Sequence, residues 1–241
     1  MPNSFFQFKQ FKIEQGKTAM KVCTDACLFG AYMEAENYRK ILDIGTGTGL
    51  LALMLAQKTS ASIIGVEIEQ NAYNQALSNV QQSPFAHQIE IIHQSIQSYA
   101  EGFKEEKFDL IVSNPPFFKD NWKSEQKEKN LALHSESLDF EDLLRAVSQI
   151  LSPEGKFWVL LPPFEANVFA KKAASFHLRL VEKVNVYNNP ESRIFRLMQA
   201  FVREKEVFYN DLIINDLYIK DSKNEYTKEF KNLLKEYYLI F

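Results

Sequence analysis

Two short stretches of this chain carry residue types and spacings that chemistry would use. The first is Asn114-Pro115-Pro116-Phe117, which follows the β-rich run Phe108 to Ser113. Two consecutive prolines bar helix and strand pairing and stiffen the backbone, so the Asn114 side chain and the Pro115 carbonyl are held in place. Both are acceptors. A planar NH2 group can donate one hydrogen to Asn114 Oδ1 and the other to the Pro115 carbonyl oxygen, while Phe117 stacks on the plane that bears the nitrogen. The second stretch, Asp43-Ile44-Gly45-Thr46-Gly47-Thr48-Gly49, joins the run Lys40 to Ile44 to the apolar stretch Leu50 to Gln57. Missing side chains let the backbone turn sharply and approach a ligand whose charge faces the N–H groups of a helix, which implies a nucleotide-like ligand. Eighteen residues after Gly49, Glu67 closes the next β-rich run, where a carboxylate can accept both hydroxyls of a ribose. A dinucleotide fingerprint would put its third glycine where Leu50 stands, and no Gly-Lys-Ser/Thr is present, so dinucleotides and nucleoside triphosphates both fit poorly.

The run Asp-x-Gly-x-Gly-x-Gly resembles the first motif of class I S-adenosylmethionine-dependent methyltransferases, and Glu67 resembles their ribose-binding acid. That resemblance implies S-adenosyl-L-methionine as cofactor and S-adenosyl-L-homocysteine as product, held by Asp43, Gly45, Thr46, Gly47 and Glu67. Asn114 to Phe117 resembles the Asn/Asp-Pro-Pro-Phe/Tyr motif of amino methyltransferases acting on adenine N6, cytosine N4 or glutamine N5. The implied reaction moves a methyl group in line from a sulfonium to a neutral nitrogen on which positive charge grows. Paired acceptors stabilise that charge and align the nitrogen, so positioning and electrostatics supply most of the catalysis, with no metal and no covalent nucleophile.

The resemblance extends further. Phe8-Lys-Gln-Phe11, Ala19-Met-Lys-Val-Cys-Thr-Asp25, the glycine turn with Leu50 to Gln57, Ser113 to Phe117 and the closing Tyr-Leu-Ile-Phe241 are similar to the bacterial tRNA1(Val) (adenine-N6)-methyltransferase family. It implies tRNA(Val) as partner and the adenine immediately 3′ of the anticodon as target. Thr24, in the Lys-Val-x-Thr-Asp element, is then expected against the cofactor pocket; the alternative is a helix cap by Thr24 or Asp25. Ser95 stands where the family commonly has an Asp near the cofactor's adenine, and Cys23 and Ala26 replace usual glycines. His134 matches a histidine common after the Asn-Pro-Pro-Phe/Tyr loop; it would accept a proton late, contact substrate, or serve as a structural surface residue. Lys9 and Lys12 in a basic N-terminal stretch, Lys119 and Lys123 in a polar loop over the site, and Arg193 and Arg196 beside a turn are the cations offered to RNA phosphate. A rival with the same tetrapeptide is a glutamine-N5 methyltransferase acting on release factors; it would need a helical substrate domain where this chain has about 35 residues. From another class comes a noncatalytic RNA-binding protein with a vestigial cofactor pocket.

The elements that must position these residues are legible in the hydrophobic pattern. Lys40–Ile44, Ile63–Glu67, Ile89–Ile92, Phe108–Ser113 and Lys156–Leu161 read as strands buried on both faces, and helical stretches fall between them. Phe140, Leu143, Leu144, Val147, Ile150 and Leu151 share helical spacing behind Asp139 as cap, and Ser152-Pro153-Glu154-Gly155 is expected to turn into the next strand. Strand–helix alternation predicts an α/β fold, a mostly parallel sheet with helices on both faces, and chemistry beyond the carboxyl ends of the strands. The methyltransferase resemblance makes that sheet seven-stranded and Rossmann-like. An N-terminal extension over 1–35 is expected near the cofactor pocket, a methyltransferase domain over 36–205, and a C-terminal appendage over 206–241 whose final helix packs on the body through Tyr226, Phe230, Leu233, Leu234 and Tyr237.

With 241 residues, 28 Lys plus Arg against 31 Asp plus Glu, and 46% hydrophobic residues, the composition is that of a folded globular protein large enough to bury a core without disulfides. Mild acidity does not exclude nucleic acid, because phosphates respond to local charge. No apolar run of membrane-spanning length and no secretory signal pattern is present, so a cytoplasmic protein with no membrane association and no obligate protein partner is expected. Cys23 and Cys27, four apart and without Cys or His neighbours of zinc-site spacing, read as ordinary reduced thiols.

Overall fold

A computed structural model of the protein describes residues 4–16, 18, 21–104, 106–116, 139–204 and 211–241. A small antiparallel hairpin, β1 (Phe5–Gln7) and β2 (Lys12–Glu14), precedes α1 (Thr24–Tyr32). The alternating body follows as β3 (Lys40–Ile44), α2 (Leu50–Ala56), β4 (Ser62–Glu67), α3 (Gln70–Gln81), β5 (Ile89–His93), α4 (Ile96–Gly102) and β6 (Phe108–Ser113). It continues through α5 (Phe140–Ile150), β7 (Leu151–Leu161), α6 (Pro163–Ala173), β8 (Leu178–Tyr187) and β9 (Ile194–Arg203), and then β10 (Ile213–Tyr218) and α7 (Lys228–Leu234).

The main sheet runs β10-β8-β9-β7-β6-β3-β4-β5. Strands β3 to β7 are mutually parallel, β9 is antiparallel to both β7 and β8, and β10 is parallel to β8. The fold is thus the mostly parallel α/β architecture read from the pattern, and strand order reverses at β3, the kind of switch point at which such sheets bind ligands. Among the described residues the sheet has eight strands where seven were expected. The extra strand, β10, adds to the free edge of β8 from within the C-terminal appendage; Asn185 Nδ2 donates to Asp216 Oδ1 at 2.7 Å across that pair.

One local expectation fails. Residues 152–155 do not form a separate turn: α5 ends at Ile150 and β7 begins at Leu151. Phe108 pairs with Leu151 and Leu110 with Lys156, so the intervening residues form a bulge on β7. Pro153 has no N–H to give a ladder and is tolerated in such a bulge. Gly155 is needed there because a Cβ would sit 2.8 Å from the Phe108 carbonyl oxygen.

Strand side chains alternate between two apolar layers, as expected for a sheet covered on both faces. Trp158 and Leu160 of β7 join Phe29, Met54, Phe230 and Tyr237 on one face, while Phe157, Val159 and Leu161 join Phe108, Phe169 and Phe201 on the other. The final helix packs on the body through Phe230 and Leu234; Tyr226 and Tyr237 lie outside it, the first 37% exposed and the second buried. Phe230 and Leu234 are fully buried, each contributing roughly 1.5–3 kcal/mol, Thr227 caps the helix by accepting from Phe230 N, and Tyr237 Oη donates to the Met54 carbonyl. The Asp139 cap on α5 also holds, accepting from Glu141 N. Cys27 is buried and Cys23 half-buried; neither is bonded, and burial pushes both thiols up to about 12, which keeps them inert. Among the described residues no helix is long and apolar enough to cross a membrane.

Candidate functional site

The end of β3 enters the glycine turn with Gly45, Gly47 and Gly49 all at positive φ (68°, 60° and 81°), a region that side chains make costly. Gly45 N and Thr46 N both donate to the Val66 carbonyl of the neighbouring strand, and Gly49 is the N-cap residue of α2. A Cβ built on Gly45 would meet nothing within 4 Å, so space is open beside this backbone. Asp43 lies beneath the turn, 1% exposed; its Oδ2 accepts from Thr46 Oγ1 at 2.6 Å and its Oδ1 is buried with no hydrogen-bond partner. Burial pushes the Asp43 carboxyl up to about 7, the Thr46 hydroxyl and the Ala52 backbone N–H partly offset this, and the Glu67 carboxylate adds to it.

Glu67, 8% exposed at the end of β4, bridges the glycine turn and the segment after β4: Oε2 accepts from Gly47 N at 2.8 Å and Oε1 from Glu69 N at 2.9 Å. Each carboxylate oxygen keeps a second lone pair, so the group that shapes the turn can still accept from a diol. The segment after Glu67 is pinned by His93, whose Nε2 hydrogen-bonds the Ile68 carbonyl at 2.9 Å while its ring stacks on Tyr73 at 5.1 Å.

Asn114 and Pro115 follow β6, next to this turn. Ile44 pairs with Ser113, so Gly45 and Asn114 are the next residues on neighbouring parallel strands. Ser113, fully buried, donates through Oγ to the Ile44 carbonyl at 2.9 Å and ties the two strand ends together. Asn114 Oδ1 is buried and has no partner, and Pro115 is buried beside it. A buried acceptor without a partner is costly to leave, so it is matched to a donor that arrives with a ligand. Phe117 lies outside the described residues, as do Lys119, Lys123 and His134.

Other candidates take up internal roles. Ser95 caps α4: its Oγ accepts from Ser98 N at 3.2 Å and bonds Ser98 Oγ at 3.1 Å. Thr24 is exposed in the first turn of α1, whose cap position, Cys23, makes no side-chain cap bond. The alternative of a cap by Thr24 or Asp25 is therefore not realised. Asp25, 6% exposed, lies inside the first turn, where its Oδ1 accepts from Ala26 N at 3.2 Å and its Oδ2 from Arg196 Nε at 2.7 Å, since a buried carboxylate needs partners. Arg196, expected to meet phosphate, is thus engaged within the fold, and its guanidinium also donates to the Phe195 carbonyl. Lys9, exposed, donates through Nζ to the carbonyls of Lys235 and Phe241 and ties down the C-terminal segment. Lys12 pairs with Glu14 at 2.5 Å, and Arg193 is exposed in the turn between β8 and β9.

Three positioning residues escape the sequence reading. Besides Ser113 and His93 there is Asn79, 2% exposed on α3, which donates to the carbonyls of Glu14 and Thr48 and accepts from Glu14 N, joining the hairpin to the glycine turn. Ser113 and His93 had a visible signal, as polar residues at the ends of β-rich runs, whereas Asn79 had none.

The chain matches the methyltransferase small domain model over residues 21–188. Over its full length it is 44% identical to the tRNA1(Val) (adenine(37)-N6)-methyltransferase of Dyadobacter fermentans, covering 99% of each chain. It is 39% identical to the protein of the same name from Bacteroides thetaiotaomicron, again over 99% of each. The chain belongs to the tRNA1(Val) (adenine(37)-N6)-methyltransferase family. Membership in this family agrees with a class I methyltransferase fold. A predicted O-methyltransferase from Agrobacterium tumefaciens superposes with a TM-score of 0.66 at 16% identity, covering 88% of this chain and 96% of that one. A ribosomal protein L11 methylase from Lactobacillus delbrueckii gives 0.55 at 16% identity, with 80% and 84% covered. These likenesses speak to the fold of the family member described here, and its site rests on its own residues.

Proposed function

We propose that this chain methylates N6 of adenine 37 in tRNA1(Val), the reaction for which its relatives are named, with S-adenosylmethionine as donor. One observation carries the reading: the buried Asn114 Oδ1 acceptor, without a partner, stands at the strand end beside the glycine turn. The residues fit such a cofactor. Positive-φ glycines leave open backbone for close approach, Asp43 offers a buried oxygen without a partner to a cationic amine, and Glu67 can accept from a ribose diol. When bound, S-adenosylmethionine supplies an electrophilic methyl group on sulfur.

The chain's own residues then handle the nitrogen. Asn114 Oδ1 and the Pro115 carbonyl accept its two hydrogens, which turns its lone pair out of the amino plane and toward the glycine-turn side of the site. As positive charge develops on the nitrogen, those hydrogen bonds become charge-assisted and strengthen, so they stabilise the transition state more than the bound substrate. Amide oxygens are too weakly basic to keep a proton, so the displaced one passes to water after transfer. Phe117 in this reading stacks on the target base, and Lys119, Lys123 and Arg193 remain the cations offered to phosphate.

The direct test incubates the protein with unmodified tRNA1(Val) and methyl-labelled S-adenosylmethionine, then analyses nucleosides and maps the modified position. N6-methyladenosine at position 37 is expected. Folded protein that labels no tRNA, or that labels a release-factor glutamine instead, overturns the reading.

A further inference from the structure

Asn114 has a counterpart one strand away. β7 ends in Leu161-Pro162-Pro163-Phe164, a second Pro-Pro-Phe element at the carboxyl edge of the same sheet. Val159 pairs in parallel with Ser113, so β6 and β7 leave the sheet side by side, one into Asn114 and the other into Phe164. Pro162 is the cap residue of α6 and Pro163 its first residue, so the backbone that carries Phe164 has little freedom. Despite that rigid mount Phe164 is 66% exposed, whereas Phe157, Phe169 and Phe201 nearby in sequence and sheet are fully buried.

Solitary exposed apolar residues are common and need no explanation. Phe164 differs in its place and in its mounting. On its far side β9 enters the sheet antiparallel to β7, with Leu161 opposite Leu197, so the β8–β9 turn bearing exposed Arg193 lies along the same edge. Glu191 in that turn carries the opposite charge, so the aromatic ring, more than net charge, carries the inference. A solvent-facing ring on a stiff backbone, just past the strand end next to the one that leads into Asn114, suits an unpaired base, because proteins read RNA loops largely by stacking splayed bases on aromatic faces.

Resting on the reading that the substrate is RNA, we propose that Phe164 is a stacking platform for a nucleotide that flanks the methylated adenine in the tRNA loop. It is a positioning residue: the ring holds the loop so that the target base reaches Asn114, and it takes no part in the transfer itself.

The test measures kcat/KM for tRNA1(Val) with Phe164→Ala, Phe164→Leu and Phe164→Tyr, alongside S-adenosylhomocysteine affinity and melting temperature. Stacking on one base predicts a loss on the order of ten- to hundredfold for the Ala variant, most of that loss retained in the Leu variant, and wild-type activity within about threefold for Tyr. Cofactor affinity and melting should not move, since the ring is exposed. An Ala variant equal to wild type overturns the inference, and so does a Leu variant as active as Tyr, which would make the contact merely apolar. The wild-type protein in the same assay separates this failure from the other: if it labels no tRNA, the substrate reading falls, and if it does label tRNA, the variants judge Phe164 alone.

Discussion

Asp43→Asn offers a quantitative check on the site, because the substitution keeps shape and the acceptor for Thr46 while removing the charge. Burial raises the carboxyl from its ordinary 3.8 to about 7 in the ligand-free protein. A carboxyl raised on folding binds its proton more tightly in the folded state, so the stability it contributes is full below 3.8 and is lost as pH rises through about 7. At 1.36 kcal/mol per pH unit, the displacement amounts to about 4 kcal/mol, on the order of what the ionised form costs above pH 7. Asp43→Asn should therefore leave stability near pH 4 almost unchanged and raise it by a few kcal/mol at pH 8, with a flatter pH profile between; urea titrations of both ligand-free proteins read this directly. Cofactor binding should respond in the opposite sense. A cationic amine beside Asp43 favours the carboxylate, so S-adenosylhomocysteine binding expels a proton below pH 7, and affinity should rise roughly tenfold per pH unit from 5 to 7 and then level. Calorimetry at several pH values should find that slope in the wild type and lose it in Asp43→Asn, whose affinity should be weaker at pH 8. A variant destabilised equally at pH 5 and pH 8, or one that keeps the wild-type slope of binding, refutes the reasoning.

Asn114→Ala should lower kcat by at least about a hundredfold, the usual scale for removing one acceptor or donor matched to transition-state charge, while S-adenosylhomocysteine affinity stays within about threefold. A parallel collapse of cofactor affinity would mean that Asn114 supports the pocket and not the chemistry. Glu67→Gln leaves one acceptor oxygen for two backbone N–H groups, those of Gly47 and Glu69, so about 1–3 kcal/mol and roughly ten- to hundredfold in cofactor affinity should go, and an affinity within threefold of wild type would contradict the bridge. Arg196→Ala strands the buried Asp25 carboxylate and should cost about 2–3 kcal/mol in urea unfolding, with much of it recovered in the Asp25→Asn, Arg196→Ala double variant. Losses that simply add would show that the two side chains act separately.

Much of this molecule was legible in one dimension. Strands β3 and β6 ran as read, because central parallel strands must be apolar on both faces and so appear as unbroken runs between turn residues. The glycine turn and the Asn-Pro-Pro step were equally plain, since positive φ and a stiffened backbone are demands that few residue types meet. What the chain order hid were long-range pairings. Nothing in a linear reading of Arg196 or Lys9 says that one belongs to Asp25, 171 residues away, and the other to the backbone at Lys235 and Phe241. A cation that meets only solvent and one engaged by the fold look alike until the fold supplies a carboxylate or a row of carbonyls. The same holds for β10, where residues 208 to 241 suggest a short strand pair but not that one strand joins the free edge of β8, and for Ser113, whose hydroxyl acquires a role only when β3 lies beside β6. Local backbone chemistry is written in neighbouring residues, whereas which polar group satisfies which is decided by packing, because burial makes an unmet partner costly only once the tertiary structure has removed water.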